Sequence, residues 1–168
     1  KKNKRKSFFK IKEAFIDTFK LINSQFKNND IEIIENIENV ELFSFKNELL
    51  QVFINLLKNS KEELVKKPRN EKRYIFIDVK KEKELLIIKI KDNANGIPNN
   101  ILDKVFKAYF TTKEKEGGTG IGLYMSKQII EESIGGKIEV YNKEYIYENK
   151  TYIGAEFLIK IPINTENR

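Results

Sequence analysis

Cysteine, histidine and tryptophan are absent from the 168 residues, methionine occurs once and proline three times. Without cysteine or histidine there is no disulfide, no thiol nucleophile, no Ser-His or Cys-His triad, no imidazole proton transfer and no thiolate or imidazole zinc site. Any chemistry falls to carboxylates, amides, hydroxyls, lysines, backbone groups or a bound cofactor. No apolar run approaches the ~18–20 residues that would cross a bilayer, and the N-terminus lacks the apolar core of a signal peptide. The folded part is therefore expected to be cytoplasmic in character. A chain of this length suits one domain that buries roughly 68–70% of its unfolded surface, enough to hold a core without metals or cross-links.

Lysine and arginine number 32 against 25 aspartate and glutamate, a net charge of +7. The excess invites a nucleic-acid partner. Its distribution argues against one: Lys1, Lys2, Lys4, Arg5 and Lys6 crowd the first six residues, where a solvated tail is the simpler reading. Residues 1–7 are read as a basic extension and 8–168 as one domain with no nucleic-acid partner. Met125 is the one methionine and the chain opens on Lys1, so a longer parent protein is expected.

Hydrophobic spacing sets out the elements. Ile11, Ala14, Phe15, Thr18, Phe19 and Ile22 form one stripe of a helix over 11–24. Residues 31–35 and 39–43 read as strands around an Asn turn. A long helix runs from Phe45 to Lys66, with Ser44 as its N-cap, Leu49, Phe53, Leu56, Leu57 and Leu64 on its apolar side, and Pro68 to stop it. Residues 73–79 and 84–91 read as a hairpin. Leu86, Ile88 and Ile90 share a face, and Asp92 has their parity, so a carboxylate just past the strand end points to the core side. A short helix near 99–107, a helix from Gly122 to Ser133, and strands at 137–147 and 151–161 complete the pattern. It describes an α/β sandwich, one sheet with helices on one face.

Three features carry chemistry. Asn55, Asn59 and Glu62 lie on one face of the long helix, a row of oxygen donors suited to Mg²⁺, which takes one or two protein ligands beside water and phosphate oxygens. A solvated face would look the same, although asparagine is a poor helix former. Asp92 with Gly96 is the second. An ionised carboxylate only accepts hydrogen bonds, so it can select the amino group of adenine over the carbonyl of guanine, and glycine lets the chain approach a flat ring. A turn after a strand also uses these residues. The third is Gly117-Gly118-Thr119-Gly120-Ile121-Gly122-Leu123, which runs straight into a helix. Glycine amides and a helix N-terminus suit phosphate, though a purely structural turn is possible. The run is neither a P-loop nor a dinucleotide fingerprint.

With metal face, adenine selector and phosphate cradle in this order, the sequence resembles the ATP-binding domain of bacterial sensor histidine kinases, within the gyrase, chaperone, kinase and mismatch-repair (GHKL) ATPase superfamily. ELLQVFINLLKNSKEEL at 48–64 resembles its N box, DNANGIP at 92–98 its G1 box, KVFKAYFTTK at 104–113 its F box, GGTGIGLYMSK at 117–127 its G2 box, and GAEFLIKIP at 154–162 its closing strand. The resemblance implies a Bergerat fold, in which a mixed, mostly antiparallel sheet packs on about three helices beside a mobile ATP lid, here inferred to span 99–117. It implies ATP and Mg²⁺ as cofactors, the metal on Asn59 with help from Asn55. Nucleotide contacts are implied at Asn55, Asn59, Glu62, Asp92, Gly96, Ile97, Phe110, Thr111, Lys113, Gly118, Thr119, Gly120, Ile121, Gly122 and Leu123. Lys113 and Lys115 would reach toward the γ-phosphate, with Phe106 and Phe110 anchoring the lid.

Departures from the family pattern are Ala94, where many relatives have glycine, and Glu62-Glu63, where some have Asp-Ala. Relatives that hydrolyse ATP with water carry a glutamate where Asn55 stands. An amide accepts no proton at neutral pH, which favours transfer to an outside nucleophile. The resemblance supplies one: a histidine on a dimerisation domain absent from this histidine-free chain. It further implies a response regulator as partner, a parent protein anchored in the inner membrane, and a monomer when the domain is isolated. A module that only binds nucleotide, or a water-using ATPase, is the alternative.

Overall fold

The computed structural model describes residues 5–111 and 121–163. Helix α1 (Ile11–Asn28) buries Ile11, Ala14, Phe15, Thr18, Ile22 and Phe26, so the expected stripe runs one turn further than 24 because Phe26 continues it. Its one polar member, Thr18, donates its hydroxyl back to the Ala14 carbonyl at 2.8 Å, which removes the cost of burying it. Helix α2 (Lys46–Leu64) buries Leu49, Val52, Phe53, Leu56, Leu57, Ser60 and Leu64. Phe15 and Phe53 stack at 4.1 Å between the two helices. Ser44 does not cap α2. It is buried in strand β3 (Glu41–Ser44), paired with Ser7 of β1 (Ser7–Lys10), and Phe45 precedes the helix with no side-chain cap.

The main sheet has the order β2-β4-β5-β7-β6, with β2 (Ile31–Ile37), β4 (Arg73–Glu82), β5 (Leu85–Asp92), β6 (Lys137–Tyr147) and β7 (Lys150–Pro162). The β2–β4 pairing is parallel and the other three are antiparallel. The two strands expected around the Asn turn both form, but not with each other: β3 pairs with β1, a strand the sequence reading did not foresee. One face of the sheet, carrying Ile75, Ile77, Leu86, Ile88, Ile90, Phe157, Ile159 and Ile161, belongs to the core under α1, α2 and α4 (Gly122–Gln128). The alternation in β5 and β7 thus points as expected. On the opposite face Tyr74, Phe76, Tyr145, Tyr147 and Tyr152 form an aromatic cluster at centroid distances of 4.9–6.1 Å.

Two helices differ in detail from expectation. α3 covers only Asn99–Leu102. Beyond it the chain makes separate turns closed by i to i+3 bonds, Lys104 to Ile101, Lys107 to Lys104 and Phe110 to Lys107, so the helix expected to 107 ends at Leu102. α4 passes into a π-helical segment, Ile129–Ile134, ended by Gly135 at φ +82°.

The ends of α1 and α2 meet at Arg73, which is 4% exposed. Its guanidinium donates to the carbonyls of Asn29 (2.7 Å), Val65 (3.3 Å) and Lys67 (2.6 Å). A buried cation is tolerable there because the C-terminal ends of two helices converge on it.

Candidate functional site

Asp92 ends β5 at 3% exposure. Its Oδ1 accepts the backbone N–H of Ala94 at 3.0 Å and of Ala155 on β7 at 3.2 Å. Burial pushes the carboxyl up to about 6, against those two N–H bonds and the nearby Ser60 hydroxyl, which hold it down; the negative charge of Glu63 adds to the rise. At neutral pH the group is therefore mostly ionised, an acceptor in a site that water barely reaches.

The loop after it, 93–98, has no regular secondary structure and is pinned by side chains from elsewhere. Asn93, 1% exposed, accepts from the Tyr74 N–H at 2.8 Å and donates to the Lys72 carbonyl at 3.0 Å. Lys67 donates to the Asn93 carbonyl at 2.8 Å. The Asn95 N–H donates to the Ile153 carbonyl at 2.9 Å. Asn142 on β6 accepts the Ile97 N–H at 2.8 Å and donates to the Ile97 carbonyl at 2.7 Å. Asn95 and Gly96 are both left-handed, at φ +73° and +80°, and a Cβ at 96 would lie 2.8 Å from the Asn142 Oδ1. Gly96→Ala is expected to destabilise the fold by about 1–3 kcal/mol, the cost of a strained backbone. A thermal melt reads this, and an unchanged melting temperature would contradict it.

On α2, Asn55 and Asn59 are half-buried and Glu62 is exposed. Asn55 donates its amide to the Gly122 carbonyl at 3.2 Å and to the Ser126 hydroxyl at 3.3 Å, and accepts from Gln51 at 2.9 Å. The start of α4 is thereby tied to α2. Ser60, five residues on, stands beside Asp92. At 1.5 Å per residue, Asn55 and Ser60 are about 7.5 Å apart along the helix axis. One short stretch of α2 therefore bonds the entry to α4 at one end and runs beside the carboxylate at the other.

Ile97, Phe110, Thr111, Ile121 and Leu123 are half-buried, and Gly122 is exposed. Phe106 packs on the core with its ring 6.1 Å from that of Phe157, in edge-to-face geometry, as an anchor would. Lys113, Lys115, Gly118, Thr119 and Gly120, with most of the inferred lid's C-terminal part, lie outside the described residues. Among the described residues no group of three or more Asp or Glu could hold a metal ion. The amide oxygens of α2 suit a Mg²⁺ that takes most of its ligands from phosphate and water.

The sequence reading missed Asn93, Asn142, Tyr145 and Gly154, which brace the loop. Only Gly154 left a local signal. A glycine inside a strand pattern marks a close backbone approach, and a Cβ there would meet the Asp92 carbonyl oxygen at 1.6 Å.

A mixed sheet backed by helices on one face, with an amide row, a buried carboxylate and a helix entry gathered along α2, is the build of a GHKL nucleotide-binding domain. The family model described as histidine kinase-, DNA gyrase B-, and HSP90-like ATPase matches residues 46–165, and the chain belongs to that family. Sporulation kinase E of Bacillus subtilis (strain 168) is 31% identical over 157 residues, which are 90% of this chain and 19% of that protein. A putative sensor histidine kinase, NtrY-like, of Rickettsia conorii is 35% identical over 119 residues, 69% of this chain and 19% of that protein. The nucleotide-free catalytic domain of histidine kinase ThkA superposes with a TM-score of 0.78 at 25% identity, covering 98% of this chain and 99% of that one. The chain spans about a fifth of the length of the curated relatives it matches. Its fold is that of a histidine kinase catalytic domain, and such a fold implies nucleotide binding. Among the described residues no helix is long and apolar enough to cross a membrane.

Proposed function

We propose that this domain holds Mg-ATP and presents its γ-phosphoryl group to a histidine on a separate dimerisation domain of the same sensor kinase. The convergence of Asn55–Gly122 and Ser60–Asp92 on one stretch of α2 is the observation that carries the reading, because it brings the amide row, the buried carboxylate and the start of α4 close together. Asp92 accepts the exocyclic amino group of adenine, and Gly96 and Ile97 line the ring. Asn59, with Asn55 beside it, would hold Mg²⁺, which would supply positive charge to offset that of the phosphates. Gly118, Thr119, Gly120 and Gly122 supply N–H groups to the phosphates as α4 begins. Lys113 reaches toward the γ-phosphate from the lid, while Phe110, Thr111, Ile121 and Leu123 form its walls and Glu62 the rim.

In the transfer, the bond from the γ-phosphorus to the bridging oxygen breaks and a phosphorus–nitrogen bond forms on the imidazole, with ADP leaving. The protein's contribution is positioning and charge neutralisation. Hydrolysis by water would need a base at position 55. An amide there, engaged by Gly122, Ser126 and Gln51, is not one.

A response regulator would then take the phosphoryl group. Histidine kinase ThkA has been seen in complex with the response regulator TrrA, and its structure matches this chain with a TM-score of 0.74 at 24% identity. We place the domain in the cytoplasm of a parent anchored in the inner membrane, monomeric when isolated. The test adds γ-labelled ATP and the parent's dimerisation helices to this domain. Label is expected on the helices in an acid-labile, alkali-stable form, and Asn59→Ala should slow its appearance about 100-fold or more, as for loss of one charge-stabilising group. Label released only as free phosphate would overturn the proposal.

A further inference from the structure

The β6–β7 hairpin outruns its neighbour. Pairing of β7 with β5 ends at Lys91–Glu156, whereas pairing with β6 continues through Asn142–Ala155 and Tyr145–Tyr152 to Tyr147–Lys150. The chain reverses at Glu148 and Asn149, both left-handed at φ +49° and +65°, a tight two-residue turn that keeps the hairpin in register. The free stretch lies against the loop that leaves β5.

Alternation puts Asn142 and Tyr145 on opposite faces of this hairpin. Asn142 shares its face with Ile138, in the core, and holds the Ile97 peptide from that side through both N–H and carbonyl, at 2.8 and 2.7 Å. Tyr145, on the aromatic face, donates its hydroxyl to the Asp92 carbonyl at 2.6 Å. The two ends of the loop 92–97 are thus gripped from two sides by one hairpin. Between them, β7 supplies the Ala155 N–H to the Asp92 carboxylate and the Ile153 carbonyl to Asn95. The Tyr145 ring is held independently of its hydroxyl. It meets Phe76 edge-to-face at 5.5 Å and Tyr152 at 6.1 Å, and the Lys91 ammonium sits 3.9 Å from its centroid. Burial, with the Asp92 charge next, pushes the phenol's pKa up, so it stays a donor across the physiological range.

We propose that Asn142 and Tyr145 are positioning residues for base recognition: the hairpin sets the angle at which Asp92 meets the purine, so part of the adenine selectivity resides in β6. The inference rests on the proposed adenine contact of Asp92. Neither residue touches nucleotide. Both act through the backbone of the loop.

The experiment titrates Mg-ATP and Mg-GTP into the parent domain, Tyr145→Phe, Asn142→Asp and Asp92→Asn, and follows the ratio of the two affinities. Tyr145→Phe keeps the ring packing and removes one hydrogen bond. It is expected to lower affinity for ATP about three- to ten-fold with little change for GTP. Asn142→Asp keeps the acceptor for the Ile97 N–H but sets a carboxylate against the Ile97 carbonyl, and should lower the ratio at least as far. Loss of general stability would weaken both nucleotides alike, so an unchanged ratio in both variants, with the ratio collapsed in Asp92→Asn, overturns the hairpin's role. An unchanged ratio in Asp92→Asn removes the adenine contact itself, and the proposal with it.

Discussion

Asp92→Asn is expected to weaken Mg-ATP binding roughly 100-fold while making the folded protein more stable above pH 6. The amide keeps an oxygen for the Ala94 and Ala155 N–H groups but turns an NH₂ toward the adenine amino group, donor against donor, and a charged hydrogen bond is lost. The stability gain follows from the carboxyl group's raised pKa, about 6 in the fold against an ordinary 3.8. Below about pH 4 both folded and unfolded chains hold the proton, and folding carries no penalty. Between the two values the unfolded chain has lost it, so folding must take a proton up and stability falls as pH rises. Above about 6 the folded group is ionised as well and the full cost remains, about 3 kcal/mol at 1.36 kcal/mol per pH unit. Melting curves of wild type and variant should therefore coincide near pH 4 and separate toward pH 7, with the variant higher. Parallel curves across that range, or unimpaired ATP binding, would refute this account of Asp92.

Gly154→Ala is expected to cost the fold more than any other single methyl added in this region. The Cβ would stand 1.6 Å from the Asp92 carbonyl oxygen, 2.4 Å from its carbon and 2.9 Å from its Oδ1. Two of these are backbone atoms of the neighbouring strand, so no rotamer relieves the clash and β7 must move off β5. Relief would break the Tyr145 and Ala155 bonds to Asp92 together. Overpacking of this kind costs about 3 kcal/mol, roughly 6–12 °C of melting temperature for a chain of this length. Gly135→Ala is the control: that residue has φ +82° but nothing within 4 Å, so it carries strain without collision. Urea or thermal unfolding separates the two, and a smaller loss for Gly154→Ala than for Gly135→Ala would refute the close approach.

Much of the fold was legible because it is written in short-range periodicity. Leu86, Ile88 and Ile90 announce the inner face of β5, and the parity of Asp92 carries the carboxylate inward with them. The stripe from Ile11 to Ile22 and the leucines of α2 are equally local. What escaped depends on distant partners. β1 is four residues long beside a basic tail, and its pairing with β3 rather than a place in the main sheet is decided by contacts some 30 residues away. The bonds that shape the site join residues 45, 53, 63 and 67 apart, namely Asn142–Ile97, Tyr145–Asp92, Ala155–Asp92 and Asn55–Gly122. In the sequence Asn142 and Tyr145 are ordinary strand residues. Their task exists only because the hairpin is longer than its neighbour. Asn55, Asp92 and Gly122 could be singled out without those contacts because residue type marked them, while their meeting along α2 was not readable from spacing.

Arg73 ties α1, α2 and the start of β4 through three carbonyl groups. Carbonyls do not take up protons in the range where carboxylates do, and the guanidinium does not release its own. The knot that fixes the C-terminal ends of both helices is therefore indifferent to acidification that reaches Asp92. Acid that protonates Asp92 would relieve the cost of burying its charge, while the guanidinium knot beside the same loop, next to the Lys72 and Tyr74 groups that hold Asn93, stays as it was.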